Sequence, residues 1–161
     1  MLNVLVHFIH QTIQKLLILM MLAIVLTVSW QVFSRFILQS PSSFTEELSR
    51  FLLIWIGVLG ASYAYFTRAH LGLDLFVNKL SPNRKRKIMF LNECIVMLFA
   101  ILVLVYGGFS LVSLTLELEQ TSATLGIQIA WVYSVLPLSG CLITLHSINN
   151  AIRLIKPNGE E

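Results

Sequence analysis

The sequence predicts an all-α integral membrane protein of four transmembrane helices, a single membrane domain over residues 1–161 with both termini on the cytoplasmic side. Three observations carry that expectation. Of the 161 residues, 57% are hydrophobic and 12% charged, with a mean hydropathy of +0.81, more apolar surface than a water-soluble domain of this size can hide in one core. Uncharged stretches cover 16–34, 51–67, 94–116 and 120–152; with snorkelling flanks, each supplies the ~20 residues that cross ~30 Å of hydrocarbon. The 11 Lys and Arg are clustered rather than spread, which reads as topology.

The first span is expected over 14–37. Ahead of it Leu2, Leu5, Ile9, Ile13 and Leu16 recur at helical spacing opposite His7, Gln11 and Gln14. That pattern suits an interfacial N-terminal helical segment or a continuation of the same helix, and the spacing leaves both open. No basic run precedes a short apolar core and a small-residue cleavage site, so this span is expected to be retained.

The second span is placed at 44–67. Pro41, Ser42 and Ser43 end one helix and begin the next, and "SFTE" at 43–46 matches a capping box whose Glu46 reaches back to the cap amide. The third is placed at 86–117, long enough to tilt or project. The fourth, 125–153, contains Pro137, which removes a backbone hydrogen bond and is expected to kink it.

Orientation follows from the cations. One precedes the first span, two lie between the first and second, six between the second and third, none between the third and fourth, and two follow the last. The loop with six, which includes Arg84, Lys85, Arg86 and Lys87, is expected to be cytoplasmic. Those four also suit anionic lipid head groups.

Small residues mark candidate packing faces. Gly57, Gly60, Ala61 and Ala64 lie at i, i+3, i+4 and i+7 on the second span, and Gly126, Ala130 and Ser134 form a comparable stripe on the fourth. Such faces let helix backbones approach closely; the expected partner is another helix of this bundle, with a second subunit as the alternative. Trp30, Trp55 and Trp131 suit an interfacial belt or packing, Trp55 lying too deep for the belt.

Charged and polar residues inside or beside the spans are the candidates for function. Glu46 and Glu47 lie four and three residues before Arg50, so both acids can share its guanidinium at the external rim; Arg35 and another subunit are the competing partners. Glu93 lies ~9 Å beyond Lys87 along a helix, and an acid at that depth requires a partner. His146 on the antiparallel fourth span is the first candidate and Lys15 the second. His70 and Asp74 in "HLGLD" are expected to hydrogen-bond at the cytoplasmic rim.

Several classes are disfavoured. No basic stripe with interleaved aromatics suggests nucleic acid. Cys94 and Cys141 sit in apolar runs without CxxC spacing, so neither a disulfide nor a metal site is expected. The histidines offer no facing set for haem.

Four strings give the chain a family likeness: "QVFSRF" (31–36), "FTEELSRFLLIWIGVLGASYA" (44–64), "HLGLD" (70–74) and "LGIQIAWVYSVLP" (125–137). In order and spacing they resemble the small membrane subunit of tripartite ATP-independent periplasmic (TRAP) transporters. The family usually has an aromatic residue, often Trp, two positions before the paired glutamates; here it is Phe44. The resemblance implies a non-catalytic subunit of the bacterial inner membrane that binds no cofactor of its own. It implies a large membrane subunit that uses a sodium gradient to import a carboxylate such as sialic acid or a C4-dicarboxylate, and a periplasmic substrate-binding protein. The small subunit would brace the large one and help dock the binding protein. The alternative is a homo-oligomeric four-span channel or small transporter acting alone.

Overall fold

The computed structural model describes residues 2–67 and 82–155. Four helices are long and apolar enough to cross a membrane: Ile9–Phe36, Ser43–Phe66, Arg84–Glu117 and Ile129–Ile152. The described residues contain no strand, only one bridge pair, Thr121 with Gln128.

Helix α1 runs unbroken over Leu2–Phe36, so the lead-in continues the first span. It packs chiefly on α2 (Ser43–Phe66), and most of its remaining surface is exposed apolar side chain. The start of α2 corrects the expected cap by one residue. Ser42 is the N-cap, its hydroxyl accepting the Thr45 amide at 3.5 Å, while the Thr45 hydroxyl donates to the Ser42 carbonyl at 3.0 Å. Glu46 does not reach back to the cap, because its carboxylate turns outward to Arg50.

The third span is built from α3 (Pro82–Phe99), a π-helical segment (Ala100–Gly107) and α4 (Gly108–Glu117). Pro82 suits a first helical position, where no N–H is needed. The fourth span is α5 (Ile129–Tyr133) followed by α6 (Val135–Ile155). The break at Ser134 has the cause expected of Pro137: without an N–H, Pro137 cannot bond the Tyr133 carbonyl one turn back. The hydroxyl of Ser134 turns to the Trp131 carbonyl at 2.6 Å.

The third and fourth spans form an antiparallel pair with two closely fitted contacts. A Cβ added to Gly140 would lie 2.8 Å from Cβ of Leu104 and 3.0 Å from the Val105 nitrogen; one added to Gly108 would lie 2.9 Å from Cδ of Pro137. Only glycine lets these backbones approach so closely. Between the Glu93–Ser147 bond and the Leu104–Gly140 contact, the third span advances eleven residues and the fourth seven. The slip of about one turn falls where the third span enters its wider π winding.

The interior is polar for its size. Ser34, Thr45, Ser62, Thr115, Ser122, Ser139, Ser147 and Asn150 are buried beside Leu59, Ala100, Ala130, Val132 and Val135. Hydroxyls that bond backbone carbonyls and small side chains that admit close contact suit helix association in lipid, where apolar burial alone supplies little drive. Ser139 joins α6 to α2 by donating to the Val58 carbonyl at 3.0 Å.

Candidate functional site

Two polar joints, at opposite ends of the bundle, hold the elements together, and an open face of α2 lies between them. At the first, Glu47 stands just past the opening turn of α2. Its Oε2 accepts the backbone N–H of Thr124 at 2.9 Å and of Leu125 at 3.2 Å. These amides belong to the connection from α4 to α5, which folds on itself: Ser122 N–H donates to Ile127 at 2.8 Å, Gly126 N–H to Ser122 at 3.1 Å and Ile129 N–H to Gln120 at 2.9 Å. Gly126 closes the turn at φ +66°, which a residue with a Cβ rarely adopts. A carboxylate accepting two adjacent amides is a tether between distant parts of the chain.

Glu46 points elsewhere. Its Oε1 lies 3.4 Å from the Arg50 guanidinium, both side chains well exposed at 49% and 66%. The two acids therefore do not share Arg50. Arg35 is exposed and joins neither of them in an ion pair among the described residues. Inward of Glu47, Leu48, Phe51, Leu52 and Trp55 form one wall of an apolar groove of about 350 Å³, completed by Met20, Leu125, Ile127, Trp131 and Val132. Trp55 is a half-buried groove residue, whereas Trp30 and Trp131 are exposed.

The second joint centres on Glu93. The Tyr65 hydroxyl donates to its Oε2, the Ser147 hydroxyl lies 2.9 Å from both Oε2 and the Glu93 carbonyl, and the Asn150 amide donates to Oε1 at 3.1 Å. One carboxylate thus ties α2, α3 and α6. His146 sits beside Ser147 with its ring edge-on to Tyr65 at 5.6 Å and 4.5 Å from Phe66. Phe66 in turn lies 4.3 Å from His10 of α1, whose ring also stacks on Tyr63 at 4.7 Å. All four spans meet at this level. Lys15 is exposed and forms no ion pair with Glu93 among the described residues. The sequence indicated Glu93 and His146 but not Tyr65, Ser147 or Asn150, which are individually unremarkable polar residues whose spacing predicts nothing until α2, α3 and α6 are brought together.

The small-residue faces divide differently from expectation. A Cβ at Gly57 or Gly60 meets nothing within 4 Å, and Ala61 is exposed, so this part of the stripe makes no close helix contact among the described residues, while Ala64 is half-buried. The stripe's exposed residues instead continue an open face of α2: Glu46, Arg50, Leu53, Gly57 and Ala61, at helical spacings of three and four, are all exposed. Gly126 lies in the turn before α5, not on a fourth-span stripe with Ala130 and Ser134; Ala130 alone of these three is buried. The close-packing glycines are Gly108 and Gly140, neither of which has a second glycine or alanine three or four residues away to mark a stripe. Arg86 at the start of α3 donates to the Leu154 carbonyl near the end of α6. His70 and Asp74 lie outside the described residues.

No group of three His, Cys, Asp or Glu side chains gathers as a ligand set among the described residues. The geometry is that of an all-α, multi-pass membrane protein whose polar side chains join helix to helix. A family model of the DctQ component of tripartite ATP-independent periplasmic transporters matches residues 24–156, most of the chain, which belongs to that family of small TRAP permease subunits. A Haemophilus influenzae protein provisionally described as a TRAP transporter small permease is 28% identical over 96% of this chain and 94% of its own length. The sialic acid TRAP transporter small permease SiaQ of Vibrio cholerae is 27% identical over 85% of this chain and 78% of its own. The isethionate TRAP transporter permease DctMQ of Oleidesulfovibrio alaskensis is 26% identical over 81% of this chain, a match that occupies only 21% of that longer protein.

Proposed function

We propose that this chain is the non-catalytic scaffold subunit of a sodium-coupled TRAP importer in the bacterial inner membrane, bracing a large permease subunit and helping to dock a periplasmic substrate-binding protein. The open face of α2 carries the reading. A helix that is smooth at Gly57, Gly60 and Ala61 and charged at Glu46 and Arg50 offers a neighbouring transmembrane helix close backbone approach along its length and an ionic stop at one end. The DctMQ relative, five times longer than the region it shares, fits a small subunit that works beside a larger one. By the distribution of Lys and Arg, the Glu47 end faces the periplasm, where its tethered loop is available to a binding protein. The substrate is a small organic anion: relatives are named for sialic acid, a carboxylate, and isethionate, a sulfonate, and the carboxylate class is the one we assign. The substrate and sodium sites belong to the large subunit, since a carrier places ionisable groups near the midplane, whereas here Glu47 and Glu93 bond at opposite ends of the bundle.

Reconstitution in proteoliposomes tests this reading. Sodium-driven uptake is expected with this chain, a co-expressed large subunit and the binding protein together, and none with this chain alone. Uptake by this chain alone would overturn the scaffold assignment in favour of an independent channel or transporter.

A further inference from the structure

The basic block at the start of α3 does more than set orientation. Along the helix, Arg84, Lys87, Ile88, Leu91, Ile95 and Leu98 fall at i, i+3, i+4, i+7, i+11 and i+14, a single face. Arg84 and Lys87 are exposed, and beneath them Ile88, Leu91, Ile95 and Leu98 are 37%, 59%, 58% and 59% exposed. Arg86 projects from the other side of the helix, where it bonds the Leu154 carbonyl and fixes α3 against α6. The first turn of α3 contains no acidic residue, and the one acid further along the helix, Glu93, is held by Tyr65, Ser147 and Asn150.

We infer that this face is a binding site for one anionic phospholipid, its phosphate held by Arg84 and Lys87 and an acyl chain lying along Ile88, Leu91, Ile95 and Leu98. The charge pattern selects the occupant. A zwitterionic lipid brings a cation with its phosphate, which opposes two adjacent basic side chains, and a transmembrane helix of another protein would need an acid at the level of the cations. A phosphatidylglycerol head group supplies net negative charge at the interface and a tail of the right polarity below it. The inference is independent of the transport role proposed above, because it concerns only lipid retention by this chain.

The full chain is reconstituted in nanodiscs of phosphatidylglycerol and phosphatidylcholine, extracted, and its retained lipid measured by mass spectrometry. Wild type is expected to retain phosphatidylglycerol well above the bulk ratio. R84Q/K87Q should lose that enrichment by up to about thirtyfold, as two interfacial cations contribute, with the size-exclusion profile of wild type. K15Q, which removes an exposed cation from α1, should leave it intact. Retention at the bulk ratio in wild type, or undiminished enrichment in R84Q/K87Q, would overturn the inference. Displacement of the retained phosphatidylglycerol by millimolar inorganic phosphate would overturn the lipid assignment in favour of a free-anion site.

Discussion

The carboxylate of Glu47 accepts the backbone N–H of Thr124 at 2.9 Å across 77 residues of chain. A side chain on the second span thereby fixes the loop that joins the third span to the fourth. Because that loop contributes Leu125 and Ile127 to the apolar groove against Trp55, the tether also sets one wall of the groove.

Glu47→Ala removes the acceptor from two adjacent amides, which must then open to water. Hydrogen exchange at Thr124 and Leu125 is expected to speed up by about tenfold, since local opening no longer breaks a bond, while exchange in α6 stays unchanged. Glu47→Gln keeps one acceptor oxygen and should show a smaller effect. Unchanged exchange at both amides in the alanine variant would remove the tether from the account. If the tethered loop receives the binding protein, Glu47→Gln also weakens transport while the chain still inserts.

Arg50→Ala is expected to change the stability of the isolated chain by no more than ~0.5 kcal/mol, because exposed i,i+4 pairs contribute little. Its effect should appear in partnership: lower co-purification with the large subunit, measured by the yield of complex from a tag on that subunit. Full yield would place Arg50 outside the interface.

Glu93 is the opposite case. Glu93→Ala strands the Tyr65 hydroxyl and the Asn150 amide and leaves the Ser147 hydroxyl only the backbone carbonyl at position 93, and we expect a loss of ~1–2 kcal/mol, given ~0.6–1 kcal/mol for each hydrogen bond inside a membrane protein. Tyr65→Phe should cost ~1 kcal/mol or less on the same scale. Unfolding in mixed micelles measures both. A double-mutant cycle showing no coupling between the two positions would contradict the shared joint.

The glycines separate packing within the chain from packing between chains. Gly140→Val places side-chain atoms against Leu104 and the backbone at Val105 and is expected to destabilise the chain by ~1–3 kcal/mol, the usual cost of overpacking. Gly57→Leu enters open space; it should leave the isolated chain folded and reduce assembly with the large subunit. Equal destabilisation of the isolated chain by both substitutions would defeat the distinction.

The four spans and the break caused by Pro137 were legible in the sequence because each rests on a local cause: apolar length set by bilayer thickness, and a missing N–H one turn from its carbonyl. Glu46, Glu47, Glu93 and the glycines were legible as unusual residues, but their partners were not. The sequence allowed Arg50 to serve both glutamates, because helical spacing reports which residues can meet on one helix. It cannot report that Glu47 lies within reach of the amides at Thr124 and Leu125. The unbroken α1 was equally undecided, since an amphipathic lead-in has the same pattern whether it lies in the interface or continues a span.

The sequence by itself determined an all-α membrane protein of four spans, with its charges near the helix ends, because the cost of placing charge and unpaired backbone in hydrocarbon acts on every segment separately. Only the tertiary structure decided which small residues are contacts and which are surface. Gly140 and Gly108 admit a neighbouring backbone, while Gly57 and Gly60 face open space. Their local spacing does not distinguish these cases, for a glycine becomes a packing site only when another helix arrives at its level and on its side. The same is true of Glu93: the sequence placed an acid inside a span, and the docking of α2 and α6 on α3 supplied the three donors that hold it there.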